Sequence, residues 1–500
     1  MNTSFSMIQM GIGLINVNLI FYIVVGVIVG VIGGCIPGIS STMVLAILIP
    51  MTFNLNPVLA MGLLVAAYSS SIAGGSITAI LVNIPGTPSN IATGFDGYPM
   101  AQKGLAGKAI GLAITSSFFG GVFGVLVLIF FSPIIAKAAL AFGSQEYAAI
   151  ALLGLSLIAF VSQGTMLKGL VGGVIGLMLA VVGSDPITGF HRFTFGQPNL
   201  IEGINNVVVM IGMFGLSETI IKLGNKEYLQ MTKQKVTRIF VPFKEFLKLL
   251  PTMIRASIIG TLVGAAPAAG PATASIISYA QEKRFSKDSK LFGTGHPPGI
   301  VAAEAANNAT CGGALIPMLT LGIPGDPMTA ILIGALMIYG LRPGPLLFVE
   351  QTLFVSSIFV SMFIAQFIMF LVVIVLARYL AKLLKTPGYI LYPMISVFCI
   401  LGTYAIQNSV FDVEIMILAG FFGAMIRKIG VPISCVVLGL ILGPIFEENF
   451  RRAMVLTNDN LFSFLTRPVS LIIILITLLV TILPFISDYI KNKQIKELKD

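Results

Sequence analysis

Two short segments of this 500-residue chain carry the residues best suited to chemistry. Asn83-Ile84-Pro85-Gly86-Thr87-Pro88 and Ile323-Pro324-Gly325-Asp326-Pro327 each interrupt a long apolar stretch with Pro-Gly, then a capping side chain, then a second proline. Proline is favoured at the first position of a helix, where its missing N–H costs nothing, and Thr or Asp is favoured just before it. Each segment therefore reads as the end of one half-helix and the start of another. Ser40, after Pro37-Gly38, is placed to cap a helix beginning near Ser41 and Thr42. Pro267 with Gly270-Pro271, ahead of Thr273, is a weaker version of the same pattern.

A helix start presents free N–H groups and about half a positive charge, enough to hold an anion without a buried Lys or Arg. Residues 1–95 contain no Asp, Glu, Lys, Arg or His, and Asp96 is the first ionisable side chain, so an anion in the first half has to be met by backbone amides and hydroxyls. The expected binding set is Ser40, Ser41, Thr42, Asn83, Pro85, Gly86 and Thr87 from the first half, with Pro267, Gly270, Thr273, Asn307, Asn308, Pro324 and Gly325 from the second. Asn307 and Asn308 close the polar cluster Glu304-Ala305-Ala306-Asn307-Asn308 and offer amides for lining a cavity, with helix capping as the rival explanation. Asp326 stands where the first half has neutral Thr87. It suits either an N-cap or a coupling site for a cation or proton, and it repels an anionic substrate unless a cation lies between them. The competing explanation for all the breaks is close packing, since Gly26, Gly30 and Gly34 have the spacing of tightly apposed membrane helices.

Other chemistries find little support. Cys35, Cys311, Cys399 and Cys435 lie in apolar stretches without metal-ligand spacing and read as small packing residues. Only His191 and His296 are present, with no HExxH, which excludes a zinc hydrolase, and no GxxxxGK[ST] exists to bind ATP. Gly325-Asp326 lacks the second aspartate motif of an intramembrane protease. No enzyme is expected, and no cofactor beyond a coupling Na+ or H+.

The elements that must position these residues follow from composition. Hydrophobic residues make up 56% and charged residues 10%, with mean hydropathy +0.98, against about 45–50% and 25% in soluble chains. The fold class is an all-α polytopic membrane protein. A crossing helix needs about 20 apolar residues. Candidate spans fall near 19–36, 57–82, 109–131, 147–163, 165–184, 201–221, 252–280, 310–340, 353–377, 389–407, 413–426, 430–446 and 468–487. Several are short or broken, so roughly ten to twelve transmembrane helices plus re-entrant or broken helices are expected. No basic segment precedes the first apolar run, which reads as a true span and not a signal peptide.

The net charge of +10 sits in the connections and so reports topology, not nucleic-acid binding. Of the charged residues, 16 fall between Lys222 and Lys290 and 12 of those are basic, which marks 222–250 as a cytoplasmic linker. The expected organisation is a first membrane half over 1–221, that linker, a second half over 251–490 and a charged tail over 491–500, with the N-terminus periplasmic and the C-terminus cytoplasmic. Gly30-x3-Gly34-x2-Pro37 recurs as Gly260-x3-Gly264-x2-Pro267. Gly74-Gly75 before Ile84-Pro85-Gly86 recurs as Gly312-Gly313 before Ile323-Pro324-Gly325. Matches in one order at nearly one offset point to two related repeats, read as inverted by analogy with other transporters.

Pro37-Gly38, Gly74-Gly75-Ser76, Asn83 to Pro88 and Asp96-Gly97-Tyr98-Pro99-Met100-Ala101 resemble the large membrane subunit of the tripartite tricarboxylate transporters, the TctA type. Tyr279 to Arg284, Glu304 to Ala309, Leu321 to Gly325 and Arg342 to Phe348 extend the resemblance over roughly residues 15 to 450. Two positions depart from it: Ala268-Ala269 follow Pro267 where Pro-Gly is expected, and Asp326 replaces a small residue. The resemblance implies a secondary transporter of the bacterial inner membrane that imports carboxylates such as citrate or smaller di- and tricarboxylates on an ion gradient. It also implies two partners, a small membrane subunit and a periplasmic substrate-binding protein. An anion channel, or a carrier acting without a binding protein, is the alternative.

Overall fold

The computed structural model describes residues 2–36, 39–156, 158, 166–185, 187–223, 239, 241–267, 269–383, 388–479 and 481. Pro37-Gly38, Ala268, most of the basic linker and the charged tail lie outside these. The chain is mostly helical, at 82%. Its packing separates two units, Met1–Lys137 with Met210–Phe421, and Ala138–Val209 with Phe422–Asp500. Each unit draws on sequence from both sides of the linker.

The principal helices, in chain order, are α1 Asn2–Gly13, α2 Val17–Cys35, α3 Ser41–Thr52, α4 Pro57–Val82, α5 Ile91–Met100, α6 Ala106–Ala139, α7 Ser144–Ser156 and α8 Met166–Ala180. After the two-residue strands β1 Gly183–Ser184 and β2 His191–Arg192 come α9 Phe243–Ala265, α10 Gly270–Phe285, α11 Pro297–Leu321 and α12 Pro327–Ile338. The last are α13 Thr352–Leu383, α14 Gly388–Gln407, α15 Val410–Lys428 and α16 Ile433–Leu456. Among the described residues six helices are long and apolar enough to cross a membrane, and five shorter apolar helices of 10–17 residues accompany them. The candidate stretches over 252–280 and 310–340 are each two helices, α9 with α10 and α11 with α12.

In the first unit α4 and α11 are buried on every side along almost their whole length, as expected of helices apolar all round. The serines and threonines of α4 survive there by bonding backwards. Ser71 Oγ donates to the Tyr68 carbonyl at 2.8 Å, Ser76 Oγ to Ala73 at 2.7 Å and Thr78 Oγ1 to Gly75 at 3.0 Å. Glycine then sets how closely neighbours approach. A Cβ on Gly26, Gly30 or Gly34 of α2 runs into the α4 backbone at Leu63, Ala67 and Ser71, and one on Gly260 or Gly264 of α9 runs into α11 at Ala306 and Thr310. The GxxxG spacing of α2 is thus a packing surface. The cysteines are buried and unpaired.

The second unit holds α7, α8, α16 and the β1–β2 hairpin. Its charged cluster joins the hairpin to the end of α16. Arg192 pairs with Glu447 at 2.6 Å and with Asp185 at 3.4 Å, and Arg451 also binds Asp185. The backbone N–H of Thr188 and the Arg451 guanidinium together hold the Asp185 carboxyl well below the usual carboxylate range. A depressed native value stabilises the fold above the ordinary carboxylate range and loses that contribution as pH falls. The melting-temperature gap between wild type and Asp185→Asn should therefore be widest at neutral pH and shrink progressively below about pH 4. A gap independent of pH would remove the charge from the explanation.

Candidate functional site

Both Pro-Gly segments sit where a central helix of the first unit stops. Asn83 follows α4 and Gly322 follows α11, each in the left-handed region, with φ 58° and 73°. Beyond each lies a buried glycine seated on backbone. Gly86 donates its N–H to the Gly75 carbonyl at 3.3 Å, and a Cβ on it would lie 2.7 Å from the Gly75 Cα and run into the Gly34 carbonyl. A Cβ on Gly325 would lie 2.6 Å from both the Ala314 Cα and the Gly264 carbonyl.

The capping residues diverge. Asp326 is a full N-cap of α12: its Oδ1 accepts the Thr329 N–H at 2.7 Å while Thr329 Oγ1 answers the Asp326 N–H at 2.9 Å. Its Oδ2 accepts the Tyr68 hydroxyl of α4 at 2.5 Å. Thr87 precedes one 3-10 turn, Pro88–Asn90, that runs into α5, and its hydroxyl bonds the Asn90 side chain at 2.5 Å and leaves the turn without a side-chain cap. Sequence alone read Thr87 as the cap. Asn90 drew its hydroxyl away because Asn90 Oδ1 is buried and needs donors.

Asn90 carries the network on to α11. Its Nδ2 donates to the Ile72 carbonyl at 3.1 Å and to Glu304 Oε1 at 3.0 Å. Thr93 of α5 also donates to Oε1, and Ser117 of α6 donates to Oε2 at 2.7 Å. Glu304, Asn307 and Asn308 lie inside α11, well past its start at Pro297, so capping is not their role. Asn308 Nδ2 reaches the Ser69 carbonyl of α4 at 3.3 Å, while neither amide atom of Asn307 has a hydrogen-bond partner.

Around these loops, Ser40 caps α3, accepting the Met43 N–H at 3.2 Å and pairing with Thr42 Oγ1 at 2.7 Å; Ser41 Oγ is buried without a partner. Gly270 opens α10 with φ 68°, and a Cβ there would lie 3.7 Å from the Asp326 Cβ. α3 packs on α12, and α10 packs on the Pro88–Asn90 turn. The structure thus gathers Gly86, Thr87, Gly270, Asn307, Asn308, Gly325 and Asp326 around α4 and α11, with Pro85 and Pro324 in the same loops. Asn83 is exposed and Pro267 and Thr273 are half-buried, outside the hydrogen-bond network. Sequence reasoning placed Glu304 in a polar cluster without assigning it a role, and it passed over Tyr68, Asn90, Thr93 and Ser117. The signal available was a polar residue inside an apolar stretch, which flags a site without giving its partners.

Asp96 of α5 is spent on architecture. Its Oδ1 accepts the N–H groups of Gly293, Gly295 and His296 at 2.9, 2.8 and 2.7 Å, and its Oδ2 accepts the Tyr279 hydroxyl at 2.9 Å. It fixes the turn that starts α11.

These segments fall within residues 20–438, which match the tripartite tricarboxylate transporter TctA family. The chain belongs to that family. It is a membrane subunit of a transporter family, not of an enzyme family, and a multi-pass membrane protein. A TctA-family chain is part of a tripartite system, which implies partner subunits. Among curated proteins it is similar to an uncharacterized 52.8 kDa protein in the TAR-I ttuC' 3'region of Agrobacterium vitis, 38% identical over 446 residues and 89% of each chain. It is also similar to an uncharacterized protein in the TAR-II ttuC' 3'region of the same organism, 35% identical over 232 residues, covering 46% of this chain and 96% of the relative. No solved structure matches this TctA-family chain.

Proposed function

We propose that the chain is the large subunit of a binding-protein-dependent secondary transporter that imports a di- or tricarboxylate, such as citrate, across the bacterial inner membrane on a Na+ or H+ gradient. Its partners are a small membrane subunit and a periplasmic substrate-binding protein. The observation that carries this reading is the pair of Pro-Gly breaks ending two fully buried helices, each followed by a new helix start among hydroxyls and amides. Broken helices at membrane depth persist where they line a cavity, and their N-termini suit a carboxylate. The carboxylate is met by Ser40, Ser41, Thr42, Asn83, Pro85, Gly86 and Thr87 on one side and Pro267, Gly270, Thr273, Asn307, Asn308, Pro324 and Gly325 on the other. Asp326 faces a coupling cation in addition to capping α12.

Two inverted repeats moving against each other provide alternating access. Support for the repeats comes from the parallel seating of Gly34 with Gly86 and of Gly264 with Gly325. The remaining apolar segments bring the crossings to roughly ten to twelve, with the linker and C-terminus cytoplasmic and the N-terminus periplasmic.

Uptake into proteoliposomes tests the reading. Labelled carboxylate should accumulate only with the binding protein and an imposed ion gradient, and Thr87→Ala should raise the half-saturating substrate concentration about tenfold by releasing Asn90 from its place. Equilibration without either requirement favours a channel or an independent carrier. Unchanged affinity in a folded Thr87→Ala protein leaves the first break as packing alone.

A further inference from the structure

Glu304 lies fully buried in α11, and among the described residues no cationic side chain pairs with it. Every group that reaches it is neutral: Asn90 and Thr93 from the segment after the first break, and Ser117 from α6. The orientation of Asn90 is fixed, because its Nδ2 must face the Ile72 carbonyl and its Oδ1 receives Thr87. Asn307, one turn along the same face of α11, lies close to the carboxylate, yet both its amide atoms are buried without a hydrogen bond. Two costs therefore meet at one point: a carboxylate with no cationic partner in an apolar interior, and a buried side-chain amide beside it with neither atom in hydrogen-bond geometry. A small cation removes both at once. The available atoms are all hard oxygens, from one carboxylate, two hydroxyls and one amide, with no His or Cys sulfur among them.

We infer that Glu304, Thr93, Ser117 and Asn307 form a binding site for a small monovalent cation, Na+ or a proton, distinct from Asp326. The inference rests on the gradient-driven reading above and goes beyond it in naming the atoms. Thr87, in the first Pro-Gly segment, holds Asn90 against the same carboxylate, so occupancy of the cation site is coupled to the segment proposed to meet the substrate. Several titratable groups on the surrounding elements have partners of their own. Asp326 binds Tyr68 of α4, Asp96 of α5 binds Tyr279 of α10, Lys108 of α6 pairs with Glu245 of α9, and Arg255 of α9 pairs with Glu282 of α10. Cys311 of α11 is buried beside Tyr68.

The test reads binding without substrate or partner subunits, so it stands or falls separately from uptake. The melting temperature of the purified full-length chain is followed as NaCl replaces KCl at constant ionic strength, and then as pH is lowered without Na+. For a sodium site, Na+ raises the wild-type value and the rise is lost in Glu304→Gln. Asn307→Ala and Ser117→Ala keep the carboxylate and raise the half-saturating Na+ about tenfold, which preserves the test if Glu304→Gln does not fold. For a proton site, Na+ has no effect, and stability climbs as pH falls through a midpoint that Glu304→Gln abolishes. If wild type and all three variants respond alike to Na+ and to pH, the site does not exist.

Discussion

Alanine at Gly86 or at Gly325 should reduce ion-driven uptake about five- to a hundredfold while leaving the protein in the membrane. At both positions the obstacle is backbone and cannot rotate aside: the Gly75 Cα at 2.7 Å and the Gly34 carbonyl for Gly86, the Ala314 Cα and Gly264 carbonyl at 2.6 Å for Gly325. Inserting one carbon into such a seat costs about 1–3 kcal/mol, which the loop relieves by lifting off its helix. Each 1.4 kcal/mol is tenfold in the population of the seated loop, so the expected loss is about five- to a hundredfold, with a far smaller change in the amount of folded protein. Gly13, which has nothing within 4 Å, is the control and should tolerate alanine with full uptake. Normal uptake by both loop variants would mean that the loops need not sit where they are seated.

The second large effect separates the two jobs of Asp326. Asparagine is as good an N-cap as aspartate, with Oδ1 on the Thr329 N–H and Nδ2 donating to a Tyr68 hydroxyl that then accepts, so Asp326→Asn should keep the cap and melt above Asp326→Ala. Alanine removes the capping box, worth about 0.5–2 kcal/mol, and strands the buried Tyr68 hydroxyl at about 1–3 kcal/mol more. If the carboxylate charge couples an ion, Asp326→Asn abolishes concentrative uptake in spite of its intact fold. If Asp326→Asn concentrates substrate normally, Asp326 is a cap only.

The two breaks were legible before any coordinates because proline, glycine and capping residues act through local backbone rules. α4 runs from Pro57 to Val82, the bounds its apolar run implies. The stretch over 310–340 was read as one broken piece, and the break proved complete, since the left-handed Gly322 ends α11 outright. Helix partners were not legible. The Glu304–Asn90 bond joins positions 214 apart, and no periodicity records which of many polar residues in apolar stretches will meet. Thr87 failed as a cap for the same reason: its nearest competitor, Asn90, mattered only once tertiary packing had buried it.

The long separation of these bonds has a consequence for biogenesis. Tyr68 waits for a carboxylate 258 positions downstream, and Asn90 waits for one 214 positions downstream. At the pace of synthesis, that is about ten to fifty seconds during which the first half holds polar side chains inside the bilayer with their final acceptors not yet made. These two bonds can close only once α11 and α12 have been made, so the polar side chains of the first half are settled by the second.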